Sequence, residues 1–239
     1  MCWATGNHDM RRVVSRWGDG RVGPGFAKFV LALVATLRGS VCRYQGDELG
    51  LTEAEIPFER LRDPFGIAFW PEYRGRDGCR TPLPWQADAP YRGFLTADTW
   101  LPIPDEHEPI AVDVQERDPA STLAFFFRRF LARRKGHAPL RDGDIAFFDA
   151  PKPILAFERA SVTDRRVLVF NLGAQPAMLD ATRRVARARA TAKVSTVRCS
   201  SARRSNSRRM VCGSARERYA FDAPVARTCA SSPALASTA

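Results

Sequence analysis

Residues 26–37 read Phe-Ala-Lys-Phe-Val-Leu-Ala-Leu-Val-Ala-Thr-Leu, an apolar run broken only by Lys28 and Thr36 and closed by Gly39. A run of this length exceeds an ordinary strand, and glycine just past the end is a helix stop, so the pattern predicts a packed helix. A short strand is expected next, over residues 40–45. Apolar periodicity then disappears: residues 46–120 hold ten prolines, many Gly and Asp, and isolated aromatics at Phe58, Phe65, Phe69, Trp70, Tyr73, Trp85, Tyr91 and Trp100. This stretch reads as one long, aromatic-pinned functional loop. Asp118-Pro119-Ala120-Ser121 opens a second helix over 122–135, with Leu123, Phe126, Phe127, Phe130 and Leu131 at helical spacing. Its last turn carries Arg133-Arg134-Lys135, where the helix dipole favours cations. The stripe reads as core-facing, with a helix lying on a membrane as the alternative. Beyond it the period shortens to that of strands at 144–148, 154–158 and 166–171, separated by Pro and Gly turns.

Charge divides the 239 residues sharply. The net charge is +11, yet residues 1–180 are balanced, and residues 181–239 carry 13 Lys+Arg against 2 Asp+Glu. In that tail Ala, Arg, Ser and Thr supply 40 of 59 positions and Leu, Ile, Val and Phe only seven. So little apolar area cannot build a core, and disorder is expected. The abrupt change near residue 180 fits a shift of reading frame; the alternative is a basic arm for nucleic acid. Because the body itself is neutral, a nucleic-acid partner is not expected of it. Residues 1–9 have neither the basic start nor the apolar core of a secretory signal, which points to the cytoplasm. The longest apolar run is too short to cross a bilayer. Six cysteines (2, 42, 79, 199, 212, 229) lack Cys-x-x-Cys spacing and three histidines (8, 107, 137) do not cluster, so neither a metal site nor a cofactor is expected.

Asn7-His8-Asp9, followed by Arg12, stands at the end of a short strand stub, and the chain is expected to begin inside a domain. Alone, His8 and Asp9 fit a hydrogen-bonded structural pair as well as a site. Three segments in order change that reading. Residues 6–18, Gly-Asn-His-Asp-Met-Arg-Arg-Val-Val-Ser-Arg-Trp-Gly, resemble the strand-seven motif of the alpha-amylase superfamily. Residues 37–50, with Tyr44-Gln45-Gly46-Asp47-Glu48-Leu49-Gly50, are similar to its strand-eight "YQGEELG" pattern. Residues 75–85, Gly-Arg-Asp-Gly-Cys-Arg-Thr-Pro-Leu-Pro-Trp, are similar to the "RDGCRTPMPW" loop of its alpha-glucosidases and oligo-1,6-glucosidases.

The resemblance implies an α/β fold: the last two units of a (β/α)8 barrel over residues 1–138, an incomplete β-sandwich over 139–180, and the basic tail over 181–239. It implies a retaining glycosidase acting on terminal alpha-glucosidic bonds of malto- and isomalto-oligosaccharides. The nucleophilic Asp and acid/base Glu of that chemistry follow strands four and five and are expected upstream of Met1. The chain alone is then expected to be inactive unless a separate fragment complements it. Asp9 matches the family's transition-state-stabilising carboxylate, His8 the neighbouring sugar donor, and Arg76 an arginine at the nonreducing end; Arg80 is a further substrate-binding candidate. Alternatively, Arg76 and Arg80 pair with Asp77 or Glu72. Phe69, Trp70 and Tyr73 either stack on a sugar or pin the loop. Arg43 replaces an apolar strand residue and needs a partner if buried. Asp47 and Glu48, adjacent on a strand, would face opposite ways, which makes Glu48 structural. Two further readings are a non-catalytic carbohydrate-binding or structural remnant and a nucleic-acid-binding protein acting through its tail.

Overall fold

The computed structural model describes residues 1–18, 24–180, 193–194 and 209–212. Strand β1 (Cys2–Ala4) lies parallel to β2 (Ser40–Cys42) in the register Cys2↔Ser40, Trp3↔Val41, Ala4↔Cys42. Between them run helices α1 (Val13–Gly18) and α2 (Pro24–Thr36), a β-α-β crossover. Pro24 suits the first helical position because its missing N–H has no partner there anyway. Helix α2 buries Ala27, Phe29, Val30, Leu31, Ala32, Val34 and Ala35. Gly39 follows it at φ +123°, and a Cβ there would stand 2.6 Å from the Met1 carbonyl oxygen, which accepts from Ser40 N.

The strand expected over 40–45 pairs only as far as Cys42. From Gln45 the chain coils through tight turns in which Leu49 N and Leu51 N both bond to the Gly46 carbonyl, with Gly46 at φ +93°. Asp47 and Glu48 therefore lie in a turn, and strand alternation is not what separates them. Asp47 is buried against the Thr5 hydroxyl, whereas the Glu48 carboxylate accepts from Gly46 N at 2.9 Å. Arg43 is half-buried with its guanidinium 4.3 Å from the Phe127 ring centroid, so the cation has an aromatic partner.

Residues 46–120 are not structureless. They contain short 3-10 helices at Phe58–Arg60, Asp77–Cys79 and Asp105–Ile110, a turn at Pro90–Gly93 in which Tyr91 and Arg92 are left-handed, and the helices α3 (Pro64–Ala68) and α4 (Val112–Arg117). Ala54, Ile56, Leu61 and Leu101 form a small core of their own, against which Trp70 packs. Each helix spans six residues or fewer, too few for an amphipathic period to show in the sequence.

The helix expected over 122–135 is a π-helical segment, Thr122–Phe130, running into α5 (Leu131–Gly136) and then a short α6 (Ala138–Arg141). Phe130 is buried and Leu131 packs on the same core, so this is a core-facing helix; the side chain of Phe126 lies outside the described residues. Arg134 does more than complement its own dipole: its Nε donates to Ala35 O at 2.8 Å and its Nη2 to Gly39 O at 3.4 Å, satisfying carbonyls at the end of α2.

Strands β3 (Asp144–Phe148), β4 (Ile154–Ala160) and β5 (Arg165–Asn171) form an antiparallel meander. Phe157, Leu168 and Phe170 share one face and join α2 in a single cluster, with Phe29 edge-on to Phe170 at 5.8 Å. Ile154, Ala156, Val167 and Val169 occupy the other face, against which Ala177 packs. Residues on both sides of position 138 thus contribute to one core. Strand β6 (Ala177–Asp180) follows.

Within residues 181–239 the structure describes two strands. β7 (Lys193–Val194) lies parallel to β5, and β8 (Arg209–Cys212) antiparallel to β6. Apart from those six residues, the expectation of a disordered tail over 181–239 lies outside the described residues. Among the described residues no helix is long and apolar enough to cross a membrane.

Candidate functional site

Beyond the carboxyl end of β1 the chain makes a tight turn. Asn7 Oδ1 accepts from Asp9 N at 2.8 Å, an Asx turn that sets the direction of His8 and Asp9. The turn is anchored by Arg12, which is wholly buried: its backbone N–H donates to the Glu53 carboxylate at 2.7 Å and its Nη1 to Gln45 O at 2.9 Å. Its guanidinium also lies 5.5 Å from the Tyr44 ring. Gly46 makes room for it, since a Cβ there would stand 2.5 Å from Arg12 Nη1.

Onto this turn the long insertion places two arginines. Arg76 Nη1 donates to Asp9 Oδ1 at 2.9 Å and Arg80 Nη2 to the same oxygen at 3.0 Å. Arg80 Nε additionally donates to the His8 carbonyl at 2.7 Å. His8 Nε2 lies 3.4 Å from Asp9 Oδ2. Partial desolvation works to raise the Asp9 pKa, but hydrogen bonds from Arg76 and Arg80 and the charge of His8 outweigh it and hold the carboxyl below its usual range.

The other side of Arg76 is occupied by Asp63, whose carboxylate is fully buried. Nε and Nη2 of Arg76 donate to its two oxygens at 3.0 and 2.9 Å, and Arg76 N adds a third bond at 2.8 Å. These bonds, led by the Arg76 side chain, bring the Asp63 pKa down to about 2 against the opposing effect of burial. Asp63 also caps α3, accepting from Phe65 N, and Asp77 in turn receives Arg62 N at 2.6 Å and Asp63 N at 2.8 Å. Gly75, at φ +77°, lets the strands of the loop cross: a Cβ there would lie 2.8 Å from Gly66 Cα and 2.9 Å from Asp63 Oδ2.

The structure therefore brings together His8, Asp9, Arg76 and Arg80. It replaces the expected alternative partners of the arginines: the ion pairs are with Asp63 and Asp9, not Asp77 or Glu72. Phe69 and Tyr73 are exposed, while Trp70 packs inward against Phe58 at 5.7 Å and serves the loop. Asp63 and Glu53 went unrecognised in the sequence. Asp63-Pro64 carries the signature of a capped helix start, but nothing in it names Arg76 as its partner. The described residues contain no group of three or more His, Cys, Asp or Glu that could hold a metal.

A parallel β-α-β unit with a polar cluster beyond the carboxyl end of its strand is the arrangement of α/β catalytic domains. Residues 1–143 match the family described as "Alpha amylase, catalytic domain", and the chain belongs to the alpha-amylase family. It is 48% identical over 177 residues to a probable alpha-glucosidase of Rhizobium meliloti (strain 1021), covering 74% of this chain and 32% of the relative. It is 33% identical over 186 residues to maltase A1 of Drosophila melanogaster, covering 76% and 31%. Among solved structures, the alpha-glucosyl transfer enzyme XgtA is similar with a TM-score of 0.71 and 51% identity, over 75% of this chain and 33% of that one. The chain spans about a third of the length of the curated relatives it matches.

Proposed function

We propose that the chain carries the sugar-recognising and charge-stabilising part of an alpha-glucosidase pocket, with specificity for terminal alpha-glucosidic bonds of oligosaccharides. The observation that carries this reading is the convergence of Arg76 and Arg80 on one oxygen of Asp9, while the other oxygen lies 3.4 Å from His8 Nε2 and both the Asp9 and His8 side chains remain exposed. An anionic carboxylate so held can accept sugar hydroxyls in bonds that tighten as the ring carbon gains positive charge, lowering the barrier by differential binding. Arg76 then contacts the nonreducing end. The names of the relatives, an alpha-glucosidase and a maltase, support this substrate class.

In this reading β1 and β2 are the last two strands of the barrel, and β3 to β8 belong to a β-sandwich. The nucleophilic and acid/base carboxylates come from outside residues 1–239, and the site works in the cytoplasm. Mixing the chain with the two-thirds of the Rhizobium relative that it does not match tests the proposal. Release of nitrophenol from p-nitrophenyl alpha-glucoside should appear only in the mixture and disappear with Asp9→Asn. Hydrolysis by the chain alone, abolished by the same substitution, would overturn the division of labour.

A further inference from the structure

Arg76 has three guanidinium nitrogens and two carboxylate partners. Asp63 takes Nε and Nη2 in a two-pronged pair, leaving Nη1 for Asp9. We propose that Asp63 is the positioning residue of this site: by gripping one edge of the Arg76 guanidinium it fixes the other edge at Asp9, and so determines where the recognition arginine points. The role of Arg76 toward sugar rests on the reading above; the role of Asp63 toward Arg76 does not.

Three observations make Asp63 the fixed end of this chain of contacts. Its carboxylate has no exposed surface, whereas that of Asp9 is 47% exposed. Its backbone N–H is held by Asp77, itself wholly buried, and its carboxylate receives the backbone N–H groups of Phe65 and Arg76. The two-pronged geometry also restricts rotation of a planar group that would sample many rotamers if it paired with the exposed Asp9 alone. Arg76 Nη1 is thus held against Asp9 in a single direction, aligned before any ligand arrives.

Asp63→Asn in the full chain separates positioning from simple electrostatics. Asparagine keeps the cap of α3 and the side-chain volume while removing the charge. If Asp63 only added negative charge near Asp9, its loss would lower the Asp9 midpoint. If it positions Arg76, its loss frees the guanidinium, Asp9 loses a hydrogen bond, and the midpoint rises. Carboxyl ¹³C NMR titration of Asp9 should therefore show an upward shift; a downward shift or none overturns the proposal.

Should the variant not fold, the wild type decides. Its Arg76 Nη protons should be separately resolved by slow rotation, and a single averaged signal would refute the grip. Calorimetric titration with 1-deoxynojirimycin, a glucose-shaped cation, adds a functional arm in which Asp63→Asn should bind about tenfold more weakly. Absence of binding by the wild type would remove the sugar reading, while the Asp9 shift would still decide the role of Asp63.

Discussion

Arg80 holds Asp9 by two routes at once: Nη2 donates to the Asp9 carboxylate at 3.0 Å while Nε donates to the carbonyl of His8, the residue before it, at 2.7 Å. One side chain thus fixes both the orientation of the turn and the charge of its carboxylate. Arg80→Met keeps the aliphatic stem and removes both bonds. The expected outcome is a higher Asp9 midpoint by ¹³C NMR, together with faster amide exchange at His8 and Asp9. An unchanged turn would mean that the Asx bond from Asn7 suffices.

Arg159 joins the two halves of the core. Wholly buried on β4, it donates to Thr36 O at 2.7 Å, Leu37 O at 2.9 Å and Gly143 O at 2.8 Å, so a sheet residue satisfies the carbonyls that α2 leaves unpaired. Arg159→Met leaves those carbonyls buried without donors. A loss of about 2–4 kcal/mol in urea unfolding is expected, and a midpoint equal to wild type would show that water replaces the guanidinium at no cost.

His107 lies fully buried with Nε2 3.1 Å from Thr52 O, and burial, reinforced by the charge of Arg12, lowers its pKa to about 4 from 6.5. The unfolded chain therefore binds this proton more readily than the folded one. His107 should leave stability undiminished above pH 6.5 and remove up to about 3 kcal/mol as the pH falls to 4. Asp47 and Glu53, whose pKa values burial raises, act in the opposite sense nearby. Comparing wild type with His107→Gln between pH 4 and 7 isolates the histidine: the variant should lose the slope, and a parallel pair of curves would contradict the assignment.

Cysteine chemistry gives a direct check on the packing beneath the site. Burial, with the nearby Glu53 charge, pushes the Cys79 thiol up to about 11, whereas Cys2 and Cys42 are exposed. At pH 8 iodoacetamide should label Cys2 and Cys42 and spare Cys79 until the protein is unfolded, as read by peptide mapping. Early labelling of Cys79 would mean that the 76–80 loop opens readily.

Helix α2, the three strands of the meander, and the motif residues His8, Asp9, Arg76 and Arg80 were legible in the sequence. Apolar periodicity and short motifs are local, and these elements obey local rules. The short helices of 46–120 were not, because each spans only three to six residues and is too brief to express a period. The early end of β2 was hidden because the strand pairs only as far as its partner reaches: β1 stops at Ala4, opposite Cys42, and local sequence does not carry that register. Composition left the tail too little apolar area for a core of its own; within it β7 pairs with β5 at the edge of the meander, and β8 pairs with β6 in a separate two-stranded sheet.

By itself the sequence determined which chemical groups stand in its motifs and which of its segments are apolar enough to pack. Only the tertiary structure decided that Arg76 is divided between Asp63 and Asp9, and that Arg159 closes a helix more than 120 residues away in the chain. A charge seeks whichever opposite charge folding places within a few ångströms, and separation along the chain does not encode that distance.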